Sequence, residues 1–173
     1  ILLHHPFQSF APVIDLLRTA ADDPQVLAIK MTVYRTGTDS VLMEHLLRAA
    51  QKGKEVTVVL ELMARFDEEA NIGWANRLEE VGAHVVYGVF GYKTHAKLLL
   101  VTRREGTHLR RYGHLSTGNY NPGTARLYTD VGMLTADAQL TADADAVFHQ
   151  LASLPKGRTA RRLLAAAVAL RRR

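Results

Sequence analysis

The sequence predicts an α/β fold: a mixed β-sheet with flanking helices. Three observations carry this. Through the first half, short β-branched runs alternate with stretches of helical period. Gly, Pro or a helix cap punctuates each change. Past residue 96 the pattern turns into paired strands joined by a tight turn. At 173 residues the chain can bury one sizeable core, so one domain is expected over 1–151, with a basic tail at 152–173.

Residues 9–21 set Phe10, Val13, Ile14 and Leu17 on one helical face, with Pro12 tolerated in the first turn and Asp23-Pro24 as the stop. The run VLAIKMTVY at 26–34 alternates and is rich in β-branched residues, so it reads as a strand. Residues 36–40 form a turn that also caps a helix over 41–52, closed by Gly53. VTVVLEL at 56–62 is nearly continuous in apolar residues, as a strand buried on both faces should be. Asp67, Glu68 and Glu69 place acids in the first turn of the next helix, where its dipole favours them, and Gly82 ends it. A third strand follows near 84–89. This β-α-β-α-β order implies parallel strands and right-handed crossovers. Strands at 97–103 and 110–116 flank Arg104-Glu105-Gly106-Thr107, a hairpin signal. The polar loop 117–123 leads to a sixth strand near 128–134, and a helix over 138–151 closes the unit. His4-His5, followed by Pro6, reads as the entry to the first helix, and Trp74 reads as core.

The charge is unevenly divided. Of 22 Lys and Arg, seven lie in 151–173, which contains none of the 17 acids, so residues 1–150 carry 15 basic against 17 acidic residues. The folded part is therefore no basic nucleic-acid surface, and no specific nucleic-acid partner is expected. No apolar stretch approaches the length of a membrane span, and no secretory signal is present. The absence of Cys removes disulfides and thiolate metal sites and fits a cytoplasmic protein. A chain that starts at Ile1 is expected to be a piece of a longer one, and the tail is expected to be a helix parted from its packing.

Chemistry-bearing residues converge by topology. Arg35 and Arg65 follow the first and second strands, 30 residues apart, and His95 is another 30 on. Each interval is about one βα unit and is expected to be one step across the sheet. Parallel strands end along one edge, where open α/β sheets hold ligands. His95 and Lys97 open the descending fourth strand and, two apart, should share a face. The fifth strand returns Asn119 to the same edge, and Tyr128 begins the sixth strand beside it. Such a site offers guanidiniums, an ammonium, an imidazole, an amide and a phenol. Guanidiniums grip phosphate oxygens and a neutral imidazole attacks phosphorus, so phosphoryl or phosphodiester transfer follows more naturally than hydride or proton chemistry. Taken singly, each residue has a structural alternative: a surface histidine, solvated strand-end arginines, a strand lysine, a turn asparagine, a packing tyrosine.

His95-Ala96-Lys97 with Ser116-Thr117-Gly118-Asn119 resembles the HxK and GSxN signature of the phospholipase D superfamily, except that Thr102 stands where that pattern carries an aspartate. The longer strings LLHHPFQSF, IKMTVYR, ELMARFDEEANIGWA, GYKTHAKLLL and STGNYNPGTARLYTD resemble the first C-terminal catalytic domain of polyphosphate kinases, over residues 1–151. The resemblance implies a phospholipase D-like lobe, with 152–173 opening a second lobe. It implies ATP:polyphosphate phosphotransfer with His95 as the phosphohistidine carrier, and Lys97 and Asn119 stabilising the transferring group. Tyr128 would contact the nucleotide. Arg35 and Arg65 would stand at the magnesium–phosphate site, gripping phosphate and leaving Mg2+ to ATP oxygens, since a guanidinium has no lone pair to give. Implied partners are ATP or ADP, inorganic polyphosphate, the remaining domains and a homo-oligomer, in the cytoplasm or peripheral to its membrane. Asp130 is a candidate to orient His95. A phospholipase D-like phosphodiesterase and a non-catalytic lobe binding polyanions through its tail are the competing readings.

Overall fold

The computed structural model describes residues 1–34, 37, 39–61, 68–87 and 94–152. In chain order the elements are β1 (Leu2–His5), α1 (Ala11–Asp22), β2 (Val26–Val33), α2 (Val41–Gln51), β3 (Glu55–Leu60), α3 (Glu68–Glu80), β4 (His84–Tyr87), β5 (Lys97–Glu105), β6 (His108–Ser116), β7 (Asp130–Thr135) and α4 (Ala138–Ala152). The strands form one seven-stranded sheet in the order β1-β7-β6-β5-β2-β3-β4. β2, β3 and β4 are parallel. β5 joins β2 antiparallel, and β6, β7 and β1 continue antiparallel to the opposite edge.

Local chemistry accounts for the elements. Pro12 sits in the first turn of α1, whose buried Val13, Leu17, Ala20 and Ala21 form one stripe. The Ser40 hydroxyl accepts the Met43 N–H at 3.4 Å to cap α2, and Gly53, at φ 79°, turns the chain out of it. α3 buries Asn71, Trp74, Ala75 and Leu78, and the Trp74 indole donates to the Gly37 carbonyl at 3.0 Å. Along β5 alternate residues serve opposite layers. Leu99 and Val101 join the core under α1 and α2, while Leu98 and Leu100 meet Ala144 and Phe148 of α4. Both faces are thus covered, which is why the run from Lys97 to Val101 is buried throughout. Burying a side chain the size of Phe148 contributes about 2–3 kcal/mol. Gly106, at φ 59°, makes the β5–β6 turn.

The structure corrects four expectations. The sequence reading has six strands and takes His4-His5 as a helix entry, whereas residues 2–5 form an edge strand on β7. Four residues are too few for a period to declare itself, and the pattern is visible only as Leu3 and His5 buried with Leu2 and His4 exposed. The two 30-residue intervals are not equal steps: β5 lies on the far side of β2 from β3, so the chain crosses back over two strands to reach it. β5 begins at Lys97, so His95 precedes the strand and the two-residue alternation does not govern it. Tyr128 precedes β7 and lies just past a short 3-10 turn over 124–126. Residues 153–173, which hold nearly all of the expected C-terminal helix, lie outside the described residues.

The directions of the strands have one consequence for function. The carboxyl ends of β1, β2, β3, β4 and β6 and the amino ends of β5 and β7 lie along a single edge of the sheet.

Candidate active site

Thr32, near the carboxyl end of β2, sets the start of β5. Its hydroxyl donates to the Ala96 carbonyl at 2.7 Å and accepts the Leu98 N–H at 2.9 Å. His95 is exposed on the segment so anchored. Its ring and the Tyr34 ring meet edge to face, with centroids 5.9 Å apart and planes at 70°. Thr94 is buried, and its N–H donates to Glu61 Oε2 at 3.0 Å.

Lys97 is buried beneath this segment. Its Nζ donates to the His95 carbonyl at 2.5 Å and lies 5.5 Å from the centroid of the Tyr34 ring, within cation–π range. Burial pushes its pKa down to about 8, against an opposing pull from the Asp130 carboxylate. Near neutral pH the site therefore still contains an ammonium.

The loop after β6 closes the other side. The Asp130 carboxylate accepts the Thr117 hydroxyl at 2.7 Å. A Cβ at Gly118 would stand 2.5 Å from Asp130 Oδ2, so the glycine makes the approach of this carboxylate possible. Asn119 Oδ1 is buried with no hydrogen-bond partner among the described residues. Tyr128 is 62% exposed on the loop leading to β7. Thus His95, Lys97, Asn119 and Asp130 are held on elements that meet at the same edge. Arg35 and Arg65 lie outside the described residues. Among the described residues no group of three or more His, Cys, Asp or Glu could hold a metal ion.

Sequence reasoning overlooked a polar frame beneath the site. Glu61 interrupts an apolar run, and a carboxylate within a strand-forming sequence is a legible signal of buried polar work. Asn71 occupies the apolar stripe of α3, and its Nδ2 donates to the Tyr34 and Glu61 carbonyls, each at 3.1 Å. His114, fully buried on β6, is a further polar residue that no local pattern announces. Its Nδ1 lies 3.0 Å from the Tyr120 hydroxyl, which in turn donates to the His114 carbonyl at 3.2 Å. Gly132 makes room for the ring: a Cβ there would stand 2.6 Å from His114 Nε2. Burial, assisted by the nearby His5, pushes the His114 pKa down to about 4. The unfolded chain takes up this proton below its ordinary pKa of about 6.5 while the folded one resists, so stability should fall as pH drops from about 6.5 to about 4. The full gap is worth about 3 kcal/mol. Denaturant unfolding at pH 7 and pH 4.5 reads it, and His114→Gln should flatten the difference.

Residues 1–156 match the family model for polyphosphate kinase C-terminal domain 1. The chain belongs to that family. It is 63% identical over 156 residues to a polyphosphate kinase of Neisseria meningitidis serogroup C, covering 90% of this chain and 23% of the relative. It is 63% identical over 158 residues to one from Burkholderia vietnamiensis, covering 89% and 23%. The chain therefore spans about a quarter of the length of the curated relatives it matches. Its fold superposes on the crystal structure of polyphosphate kinase from Porphyromonas gingivalis with a TM-score of 0.82 and 38% identity, over 95% of this chain and 27% of that one. A phospholipase D family member from Salmonella typhimurium shares the fold at TM-score 0.62 and 17% identity, over 87% of this chain and 89% of that one. The expected phospholipase D-like α/β architecture is thereby established. Among the described residues no helix is long and apolar enough to cross a membrane.

Proposed function

We propose that this chain is the first catalytic lobe of a longer polyphosphate kinase and that His95 carries phosphate as a covalent intermediate. The observation that supports this most strongly is the setting of His95. An exposed imidazole sits on a backbone tied down by Glu61, Thr32 and Lys97, with a buried ammonium below it, in a chain 63% identical to curated polyphosphate kinases.

In the forward direction an imidazole nitrogen of His95 attacks the γ-phosphorus of MgATP. The bond from phosphorus to the β–γ bridging oxygen breaks, and ADP departs with the electron pair. A terminal oxygen of polyphosphate then attacks the phosphohistidine, lengthening the polymer by one phosphate and freeing the imidazole. The transition state spreads negative charge over the equatorial oxygens, so catalysis rests on placement and on positive charge nearby. Lys97 supplies such charge, Arg35 and Arg65 grip phosphate oxygens, Asn119 hydrogen-bonds the transferring group, and Tyr128 contacts the nucleotide. Magnesium belongs to the substrate complex and neutralises the departing diphosphate. Residues 1–151 form the lobe, and 152–173 lead into a second one. ATP, ADP and inorganic polyphosphate are the ligands, in the cytoplasm where the nucleotide is abundant, and the full enzyme works as a homo-oligomer. Because the second half of the site belongs to other domains, the chain by itself should show little turnover.

The full-length enzyme with MgATP and polyphosphate should release ADP as the polymer lengthens, and should return ATP from ADP and polyphosphate. Cleavage of a phosphodiester without any need for ATP would overturn this reading in favour of phospholipase D-like hydrolysis.

A further inference from the structure

We infer that Glu61 is a positioning residue for His95, fixing the peptide that carries the nucleophile by accepting the Thr94 N–H. The inference rests on His95 being the phosphate carrier.

Glu61 follows β3 directly, and its own N–H donates to the Val33 carbonyl at 3.0 Å, continuing the parallel ladder. Nothing in that ladder calls for a carboxylate, and β3 otherwise buries Val56, Thr57, Val58, Val59 and Leu60. Yet the Glu61 side chain is retained at 5% exposure, where an acid is costly unless it has work to do. Its Oε2 reaches a residue 33 positions further along the chain, the buried Thr94, immediately before His95. Glu61 is held in turn: Asn71, fully buried, donates to its carbonyl and to that of Tyr34, whose ring meets the His95 ring. One amide thus locks the ends of β2 and β3 together, and one carboxylate extends that lock to the nucleophile. From the other side, Lys97 and Thr32 hold the carbonyls of His95 and Ala96. An exposed ring that must approach phosphorus in line with the leaving oxygen gains most from such a frame. A misplacement of about 1 Å costs about 100-fold in rate.

Geometry and charge are separable at this position. Glu61→Gln removes the charge but keeps an oxygen acceptor at the same reach, whereas Glu61→Asp keeps the charge and withdraws the acceptor by one methylene. In the full-length enzyme, single-turnover phosphohistidine formation from γ-labelled MgATP is followed over a range of ATP concentrations. Circular dichroism reports the folded fraction. Glu61→Asp should lower the maximal rate constant by about 10- to 100-fold with half-saturation unchanged, while Glu61→Gln stays within about threefold of wild type. Hydrogen exchange at the Thr94 amide gives a second reading, protected in wild type and Glu61→Gln and open in Glu61→Asp. The proposal is overturned if Glu61→Asp is as fast as wild type, if Glu61→Gln is as slow as Glu61→Asp, or if half-saturation moves instead of the rate constant. A wild-type enzyme that takes no label on His95 would overturn the nucleophile assignment itself, a result distinct from a labelled wild type with an unimpaired Glu61→Asp.

Discussion

Replacing His95 with alanine in the full-length enzyme is expected to lower phosphotransfer between ATP and polyphosphate by about 10,000-fold or more. On the proposed mechanism the group removed makes the covalent bond, so the loss is large. It should fall on kcat in both directions, since the proposed phosphohistidine serves both synthesis of polymer and regeneration of ATP. The melting temperature should be little changed, because the ring is exposed and its anchors are backbone hydrogen bonds that alanine preserves. Steady-state kinetics with a thermal melt on the same sample checks both halves of this expectation.

Lys97→Met should cost about 100- to 1,000-fold, the usual effect of deleting one preorganised charge from a transition state. The buried ammonium ties down the His95 carbonyl and, in the proposed mechanism, stabilises negative charge, so the variant loses charge and placement together. Its folding should not suffer. Burial penalises the ammonium, which is why its pKa sits near 8, and methionine fills similar space without that penalty. The same pKa gives a pH signature. In the free enzyme Lys97 is charged below about 8 and neutral above it, so the wild-type kcat/KM for MgATP should fall as pH rises through about 8. That alkaline limb should be missing from Lys97→Met. A limb that persists in the variant would assign the ionisation to another group.

The parts of the molecule legible in the sequence are those written in local chemistry. The β-branched run of β2, the Ser40 cap, Gly53 and the Gly106 turn each declare themselves within a few residues. Strand directions follow from the connections, and so does the delivery of His95, Lys97 and Asn119 to one edge. What stays hidden depends on distant partners. β1 is a strand only because β7 offers it an edge. The place of β5 beside β2 is decided by a crossover that no local period records. The frame around His95 joins Thr32, Glu61 and Asn71 to residues dozens of positions away, and only the polar character of Glu61 and Asn71 within apolar patterns hints at it. Arg35 and Arg65, expected on the same edge, remain proposals on the grounds of sequence.

The covalent step proposed for His95 can be read directly on the protein. Full-length enzyme, with His95 intact or changed to alanine, is incubated with γ-labelled ATP and magnesium, and the protein is tested for acid-labile, alkali-stable phosphate. Label on the intact enzyme that maps to the His95 peptide, with none on His95→Ala, is the predicted result. Equal labelling of both proteins would contradict it by moving the nucleophile elsewhere.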